Sequence, residues 1–255
     1  MIPVGDSVRS RTVPYVNITI IVINIVVFLY EVYLSQDVIA ANFTELDRFI
    51  FEWANIPSCT FEALGVDAIS AGAEAQACSQ QSEPLLTPLT AMFMHGGWLH
   101  IAGNMLFLWI FGDNVEDAMG HARYAIFYLV AGIAAAFAHG ITDIESTQPA
   151  VGASGAIAGV MGGYIVLFPR AVVEVIFGFI LIPIPIPAFI MIGFWFVLQL
   201  FYGAASLGID TAAGGIAYWA HIGGFVAGAA MVRVFVAGRE RYIARMRGRT
   251  FDDYG

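Results

Sequence analysis

Hydrophobic residues are gathered into six long apolar stretches, which alternate with more polar connections. The stretches lie near residues 16–34, 94–112, 124–141, 152–168, 188–203 and 217–236. A helix needs roughly 20 residues to cross the ~30 Å hydrocarbon layer of a bilayer. The pattern therefore predicts an all-α membrane protein with six transmembrane helices.

Three alternating prolines interrupt the longest run of apolar residues. Pro183, Pro185 and Pro187 cannot share a helix interior, because proline lacks an N–H and its ring clashes with the preceding turn. We therefore expect the fifth transmembrane helix to begin near Ala188. Residues 171–187 are expected to form an apolar loop on the cytoplasmic side.

Composition and charge agree with a membrane protein and suggest its orientation. Hydrophobic residues make up 59% of the chain and charged residues 12%, compared with about 25% charged residues in soluble domains. All basic residues are arginines, and most lie before the first apolar stretch or after the last. Because cytoplasmic segments are enriched in basic residues, we expect a multi-pass protein of the cell (inner) membrane with both termini in the cytoplasm. The net charge of -9 gives no support to a nucleic-acid partner.

A long polar segment, residues 35–93, separates the first two apolar stretches and is expected outside the cytoplasm. It holds many of the acidic residues and both cysteines of the chain, Cys59 and Cys78. An oxidising compartment would permit a disulfide between them. Two free, partly buried thiols are the alternative.

Polar side chains occur near the same end of three apolar stretches. They are His100 and Asn104 in the second stretch, Ser154 in the fourth and His221 in the sixth. With the N-terminus in the cytoplasm, these three helices all enter from outside, so the side chains should lie at similar depths near the outer surface. Polar groups within transmembrane helices are costly and are functional candidates by default.

Each of these residues also has a purely structural interpretation. A serine in a transmembrane helix is commonly a small contact residue, and a buried histidine or asparagine commonly bridges two helices. Small residues at four-residue spacing favour close packing of the fourth and sixth helices. They are Gly155, Gly159 and Gly163 in the one and Gly224 and Gly228 in the other. Close packing is also what a hydrogen bond between Ser154 and His221 requires.

The residue types are those of a serine hydrolase. His221 can accept the Ser154 proton and make the hydroxyl a nucleophile. No acid is evidently placed to orient His221, which indicates a dyad. His100 and Asn104 lie one helical turn apart, and their N–H groups, with the Ser154 backbone N–H, would form an oxyanion hole.

Four motifs occur in order along the chain. They are HGGWLHIAGN (95–104), GDNVEDAMG (112–120), GASG (152–155) and AHIGGFVAG (220–228). This set resembles the motifs of the rhomboid family of intramembrane serine proteases, and the resemblance covers about residues 14–236. We accordingly treat residues 1–255 as one rhomboid-type membrane domain, with a cytoplasmic tail at 237–255.

The resemblance implies a six-helix bundle with a water-filled cavity that opens to the extracytoplasmic side, whereas the long first extracytoplasmic loop is a feature of this sequence. It implies Ser154 as nucleophile, His221 as general base and acid, and His100 and Asn104 as oxyanion stabilisers. Glu116 would be structural, and the fifth helix and the loop after it would act as gate and cap. The implied partners are the lipid bilayer and single-span or multi-span membrane proteins, cut in or next to their transmembrane segments. No cofactor and no metal is implied.

The sequence departs from the family at one position near the site. Some members place an aromatic residue four positions after the serine, where it packs on the histidine ring, and this chain has Ala158 there. We expect Trp219 or Tyr218 to hold the His221 ring instead. The remaining histidines, His95, His121 and His139, are predicted to lie in loops or at the interface. Of these three, His95 is the one expected to line the cavity.

Four other functions fit the sequence less well than a rhomboid protease. A membrane metalloprotease would need a motif such as His-Glu-x-x-His, which is absent from the sequence. An aspartyl protease would need facing aspartates within transmembrane helices, whereas the aspartates lie at helix ends or in loops. A transporter would favour polar groups at the midplane. A rhomboid-like pseudoprotease that binds membrane clients without cleavage would be expected to lack the serine or the histidine.

Overall fold

The computed structural model describes residues 1–35, 44–67, 78–178, 180–207 and 216–247. Most of these residues are helical. The helices are α1 (Tyr15–Leu34), α2 (Glu45–Trp53), α3 (Pro57–Ala63), α4 (Thr87–Thr90), α5 (Trp98–Met119), α6 (His121–Thr142), α7 (Ser154–Leu167), α8 (Ala188–Ser206), α9 (Tyr218–Phe235) and α10 (Glu240–Met246). The strands are β1 (Ile2–Asp6), β2 (Val172–Phe177) and β3 (Ile180–Pro187).

A helix occupies each of the six predicted apolar stretches, and the prediction of a helical membrane protein is confirmed. Within the described ranges, α1, α6 and α8 are each long and apolar enough to cross a membrane, and α9 and α10 meet the same test only as a pair bent by 118°. Helix α7, with 14 residues, is shorter than the roughly 20 residues that cross the hydrocarbon layer. The crossing of the membrane by all six helices stays a prediction.

Helix α7 lies at the centre of the core. Most of its residues are buried, and aromatic side chains of α5 and α6 fill the space around it. Tyr124, Tyr128 and Tyr164 are each fully buried, and Tyr164 packs edge-on against Phe111 of α5. Burial of this kind leaves α7 little freedom to shift, so a residue at its end is held in a fixed position.

Glycines bring α7 and α9 into backbone contact, as the four-residue spacing predicted. A Cβ atom built on Gly224 would lie 2.0 Å from the Gly155 carbonyl oxygen, and one built on Gly228 would lie 2.0 Å from the Gly159 carbonyl oxygen. No larger residue fits at these positions without separating the helices. The two helices that carry Ser154 and His221 are therefore as close as backbones allow.

The segment at 112–120 joins the ends of three helices, α1, α5 and α6. The buried carboxylate of Glu116 accepts hydrogen bonds from the backbone N–H groups of Val16 (3.0 Å) and Asn17 (2.7 Å) in the first turn of α1. These N–H groups have no partner within their own helix. Gly120, with φ of +82°, ends α5 and precedes α6. Glu116 thus has a structural position, as the family resemblance implied.

The expected cytoplasmic loop at 171–187 is instead most of a three-stranded antiparallel sheet. Strand β2 pairs with both β1 and β3, and Val173 and Val175 on β2 are buried in the main core. The three prolines exclude a helix interior here, but they do not exclude an edge strand. The pairing with β1 also joins segments far apart in the chain, which no local pattern indicates.

The prolines of β3 are tolerated because β3 is an edge strand. Pro185 lies opposite Glu174 and Pro187 lies opposite Val172, while the following residue, Ala188, donates its N–H back to the Ala171 carbonyl. Since alternate residues of a strand point their N–H groups to opposite sides, the prolines stand where the N–H would face away from β2. The outer edge of β3 therefore lacks these donors.

Strand β1 is held against the helices by a buried polar cluster. One oxygen of the Asp6 carboxyl group accepts hydrogen bonds from the Tyr164 hydroxyl and from the Asn114 side-chain amide, the latter at 3.0 Å. Burial raises the pKa of Asp6 to about 8, helped by the nearby negative charge of Asp113 and opposed by these hydrogen bonds. The N-terminal strand is thus fixed to both α5 and α7.

The segment between α1 and α5 carries a cross-link close to the main helices. Cys59 of α3 and Cys78 form a disulfide that closes a separation of 19 residues. Nearby, the Asn55 backbone pairs with the Ala150 backbone, two residues before Gly152. Backbone hydrogen bonds therefore connect the cross-linked segment to the residues that immediately precede α7.

Candidate active site

Ser154 is the first residue of α7 and is half-buried. The chain reaches it through Gly152, whose φ of +133° lies in a region that other residues rarely adopt. A Cβ atom built on Gly152 would lie 3.5 Å from Ser154 Oγ. Because Ser154 begins α7, its hydroxyl lies at a helix N-terminus, where unpaired N–H groups favour negative charge.

His221 of α9 is hydrogen-bonded to Ser154. The distance between His221 Nε2 and Ser154 Oγ is 2.8 Å, within the range expected for a nucleophile and its base. His221 lies in the first turn of α9, and Ser154 begins α7. The close packing of these two helices through Gly155 and Gly224 is what makes so short a distance possible.

The other side of the His221 ring contacts α8. Its Nδ1 atom is hydrogen-bonded to the side-chain oxygen of Gln199 at 2.8 Å. The ring of Trp195 lies with its centroid 5.9 Å from that of His221, and the two planes are inclined by 36°. Neither Trp219 nor Tyr218 makes this ring contact among the described residues, so that expectation is wrong: an aromatic residue of α8 takes the place next to the histidine.

His100 lies beside the approach to Ser154. Its Nδ1 accepts a hydrogen bond from the Gly96 backbone N–H at 3.3 Å, which leaves the proton of a neutral ring on Nε2. A Cβ atom built on Gly152 would lie 2.9 Å from this Nε2. The N–H donor of His100 therefore points into the space beside Gly152 and Ser154.

Asn104 lies one turn further along α5 and is 8% exposed. Its side-chain nitrogen is buried and has no hydrogen-bond partner among the residues that the structure describes. A buried donor without a partner costs free energy and calls for an explanation, such as a ligand that binds only during function.

A small cavity opens beside Ser154, between α6 and α7. Its walls are mostly glycine and alanine, and its polar lining includes Asn55 and His139. The prediction that His95 lines the cavity is wrong for this cavity. His95 is 4% exposed and packs against the His100 ring, with 5.1 Å between centroids.

In the part of the chain that the structure describes, the groups hydrogen-bonded to His221 are a hydroxyl and a carboxamide, neither of which carries a formal charge. Within the described part of the chain, no three histidine, cysteine or acidic side chains are placed to hold a metal ion. The arrangement can transfer a proton between Ser154 and His221 and offers N–H donors nearby. These are the groups that acyl transfer through a serine nucleophile requires.

Two residues of this site were missed by the sequence analysis, Gln199 and Trp195. A signal for Gln199 was present, because it is the only amide or charged side chain within the apolar α8 stretch, and such residues are functional candidates. Trp195 carries no such signal, since tryptophan is ordinary in an apolar helix.

Comparison with known proteins assigns this fold and motif set to a family. A family model described as the Rhomboid domain matches residues 83–238. The chain is 35% identical over 151 residues to the rhomboid protease GluP of Bacillus subtilis, covering 58% of this chain and 25% of that protein. It is 30% identical over 142 residues to the mitochondrial rhomboid protein 1 of Saccharomyces cerevisiae, covering 53% of this chain and 38% of that protein.

These relatives are longer proteins, and the chain spans no more than about two fifths of their length. A third, the mitochondrial presenilin-associated rhomboid-like protein of Bos taurus, is 30% identical over 99 residues, covering 38% of this chain and 26% of that protein. The matched region of the family model covers more than half of this chain and includes the segments that carry Ser154 and His221. The chain belongs to the rhomboid family.

Proposed function

We propose that this protein is an intramembrane serine endopeptidase that hydrolyses peptide bonds in or next to the transmembrane segments of membrane proteins. The observation that carries the proposal is the 2.8 Å hydrogen bond between Ser154 Oγ and His221 Nε2. The two side chains come from different helices, and the close approach of those helices is maintained by glycines. The relatives include a protein named as a rhomboid protease.

The chemistry follows from this contact. Ser154 Oγ attacks the carbonyl carbon of the scissile bond, and its proton passes to His221 Nε2. His221 then gives the proton to the departing amine, which leaves an ester on Ser154. A water molecule attacks this ester with His221 as base, releasing the second product and restoring the hydroxyl.

The oxyanion formed in these steps needs donors that are already in place. We assign this role to the His100 Nε2–H, the Asn104 side-chain amide and the Ser154 backbone N–H. Two observations support the assignment. The side-chain nitrogen of buried Asn104 has no hydrogen-bond partner within the described ranges, and His100 lies beside Gly152. Each such donor is worth about 10²- to 10³-fold in rate.

The placement in the membrane follows from the distribution of arginine. Arginines occur before α1 and throughout the segment after α9, which favours both termini in the cytoplasm. Ser154 and His221, at the first turns of α7 and α9, then lie towards the extracytoplasmic side, where water can reach them. Glycine and alanine line the adjacent cavity, which suits a small substrate side chain.

The test is cleavage by purified protein in liposomes. A single-span membrane protein is incubated with the wild type, Ser154→Ala or His221→Ala, and the products are sized by mass spectrometry. We expect cleavage by the wild type alone. If either variant cleaves at the wild-type rate, the assigned dyad is wrong.

A second measurement does not depend on knowing the substrate. A fluorophosphonate probe should label the wild type, and Ser154→Ala should remove the labelling. A pseudoprotease that binds membrane clients without cleavage is the alternative function, and absence of labelling together with binding of a single-span protein would favour it.

A further inference from the structure

Gln199 is a polar residue buried on a helix that is otherwise apolar. It is 8% exposed, whereas Val197 (59%) and Phe201 (66%), on the opposite face of α8, are exposed. Burying a carboxamide is unfavourable unless its hydrogen bonds are satisfied. Gln199 is hydrogen-bonded to Nδ1 of His221, and His221 is a catalytic residue of the proposed reaction.

The hydrogen bond fixes which nitrogen of His221 carries the proton. The atom of Gln199 that faces Nδ1 is the carbonyl oxygen, an acceptor. It therefore accepts the Nδ1–H, and Nε2 of the neutral ring is left free to accept the Ser154 proton. With the opposite tautomer, Nε2 would already carry a proton and could not act as a base.

We propose that Gln199 is a positioning residue that selects the productive tautomer of His221 and holds its ring towards Ser154. This inference rests on the proposed serine-protease function. Gln199 acts through His221 and touches no reacting atom. In a soluble serine protease this role belongs to an acid, and here a neutral carboxamide performs it.

The position of Gln199 on α8 makes base orientation dependent on a third helix. Ser154 and His221 are carried by α7 and α9, whereas α8 packs against α9 through side chains, including a stacked pair of Phe196 and Phe225 with 4.3 Å between centroids. Trp195, from the same helix, contacts the His221 ring. Movement of α8 away from α9 would therefore remove both supports of the histidine together.

The experiment compares substitutions that keep or remove the acceptor. Gln199→Met has similar size and no hydrogen-bond acceptor of comparable strength, while Gln199→Glu keeps an acceptor at the same place. Leu200→Met is the matched control, because Leu200 is the next residue on α8 and is exposed. All are measured in liposomes for kcat and KM on one single-span substrate and for the rate of Ser154 labelling by a fluorophosphonate.

For Gln199→Met we expect kcat to fall by about 10- to 100-fold, a part of the 10²- to 10⁴-fold that general acid–base catalysis contributes. KM should stay within about twofold, because substrate binding is untouched. The rate of Ser154 labelling should fall in proportion to kcat. Gln199→Glu should restore most of both rates, and Leu200→Met should match the wild type.

Two results would overturn the inference. One is Gln199→Met with wild-type kcat and labelling. The other is a loss of activity that Gln199→Glu does not restore and that accompanies a lower unfolding temperature, because this combination indicates packing alone. Failure of the proposed function is a separate result, since the wild type itself would then show no labelling that depends on Ser154.

Discussion

Gly155 and Gly224 face each other across α7 and α9, so that a Cβ atom on Gly224 would lie 2.0 Å from the Gly155 carbonyl oxygen. Each of these glycines lies within three residues of a proposed catalytic residue, Ser154 or His221. The separation of the two backbones therefore sets the length of the hydrogen bond between the serine and the histidine.

Gly224→Ala should reduce both stability and cleavage. The added methyl group overlaps a backbone atom, which cannot rotate away, and overpacking of this kind costs about 1–3 kcal/mol. Because a displacement of ~1 Å in an active site can cost about 10²-fold in rate, we expect cleavage to fall at least ~10-fold. Thermal unfolding in detergent and cleavage in liposomes measure the two effects.

The control for this prediction is Gly193→Ala on α8, where an added Cβ would meet no atom within 4 Å. It should retain wild-type cleavage, and its unfolding temperature should be unchanged or higher because alanine favours helix by up to ~1 kcal/mol. Equal behaviour of the two variants would contradict the role assigned to the glycine contact.

Gly152→Ala should impair catalysis more than folding. Its Cβ would lie 2.9 Å from His100 Cε1 and Nε2, and the residue has φ of +133°. We expect displacement of His100 to cost about 10²- to 10³-fold in kcat, the loss associated with one oxyanion donor. The measurement is kcat on a single-span substrate in liposomes.

Gly65→Ala separates backbone strain from the loss of His100. Gly65 also has a positive φ, +80°, but a Cβ there would meet no atom within 4 Å. This variant should lose about 1 kcal/mol or more of stability from strain and keep its kcat. A comparable fall in kcat for both variants would show that His100 is not the cause.

Asp6 should make stability depend on pH. The unfolded chain releases this proton near the ordinary pKa of 3.8, whereas the folded chain holds it until the raised pKa of about 8. The folded state therefore binds more protons between these values, and the stabilising effect, complete below pH 3.8, is lost as pH rises towards 8.

Asp6→Asn should reduce this pH dependence, because the carboxamide cannot release a proton and still offers an acceptor to Tyr164. The measurement is the unfolding temperature in detergent at intervals between pH 5 and 9 for both proteins. An undiminished slope in Asp6→Asn would assign the pH dependence to other groups.

The cysteine pair should be oxidised in protein isolated without reductant. Maleimide labelling under denaturing conditions should find no free thiol before reduction and two afterwards. Replacing both residues, Cys59→Ser with Cys78→Ser, should cost about 2–4 kcal/mol, the usual value for a native disulfide, with faster proteolysis of residues 44–67. Reductant should affect the wild type and leave the double variant unchanged, and two free thiols at the start would refute the pairing.

The helices and the central pair of the site could be predicted because their signals are local. Apolar stretches fix where helices form, and the ordered motifs indicate Ser154 and His221, which the structure brings within hydrogen-bond distance. The small-residue spacing also predicted correctly which two helices approach closely. Each of these inferences needs only a pattern within one segment, or the matching of two such patterns.

The remaining features depend on contacts between distant segments. The pairing of β1 with β2 joins residues near Ile2 to residues near Ile176. The sequence of neither segment indicates which other strand it pairs with. The support of His221 by α8 depends on the rotation of that helix about its axis. If α8 were rotated about its axis by the angle between two successive residues, Gln199 would no longer face His221. Its role therefore follows only from the three-dimensional arrangement.

The prolines along β3 also determine how the sheet behaves towards other molecules. An exposed strand edge with free amide groups is a template for pairing with another chain. With prolines at 185 and 187 standing in the outward positions, the edge offers carbonyl oxygens without the intervening donors that a ladder needs. In a crowded membrane, where copies of the protein meet at the same depth, these prolines disfavour pairing of this edge with a strand of another copy.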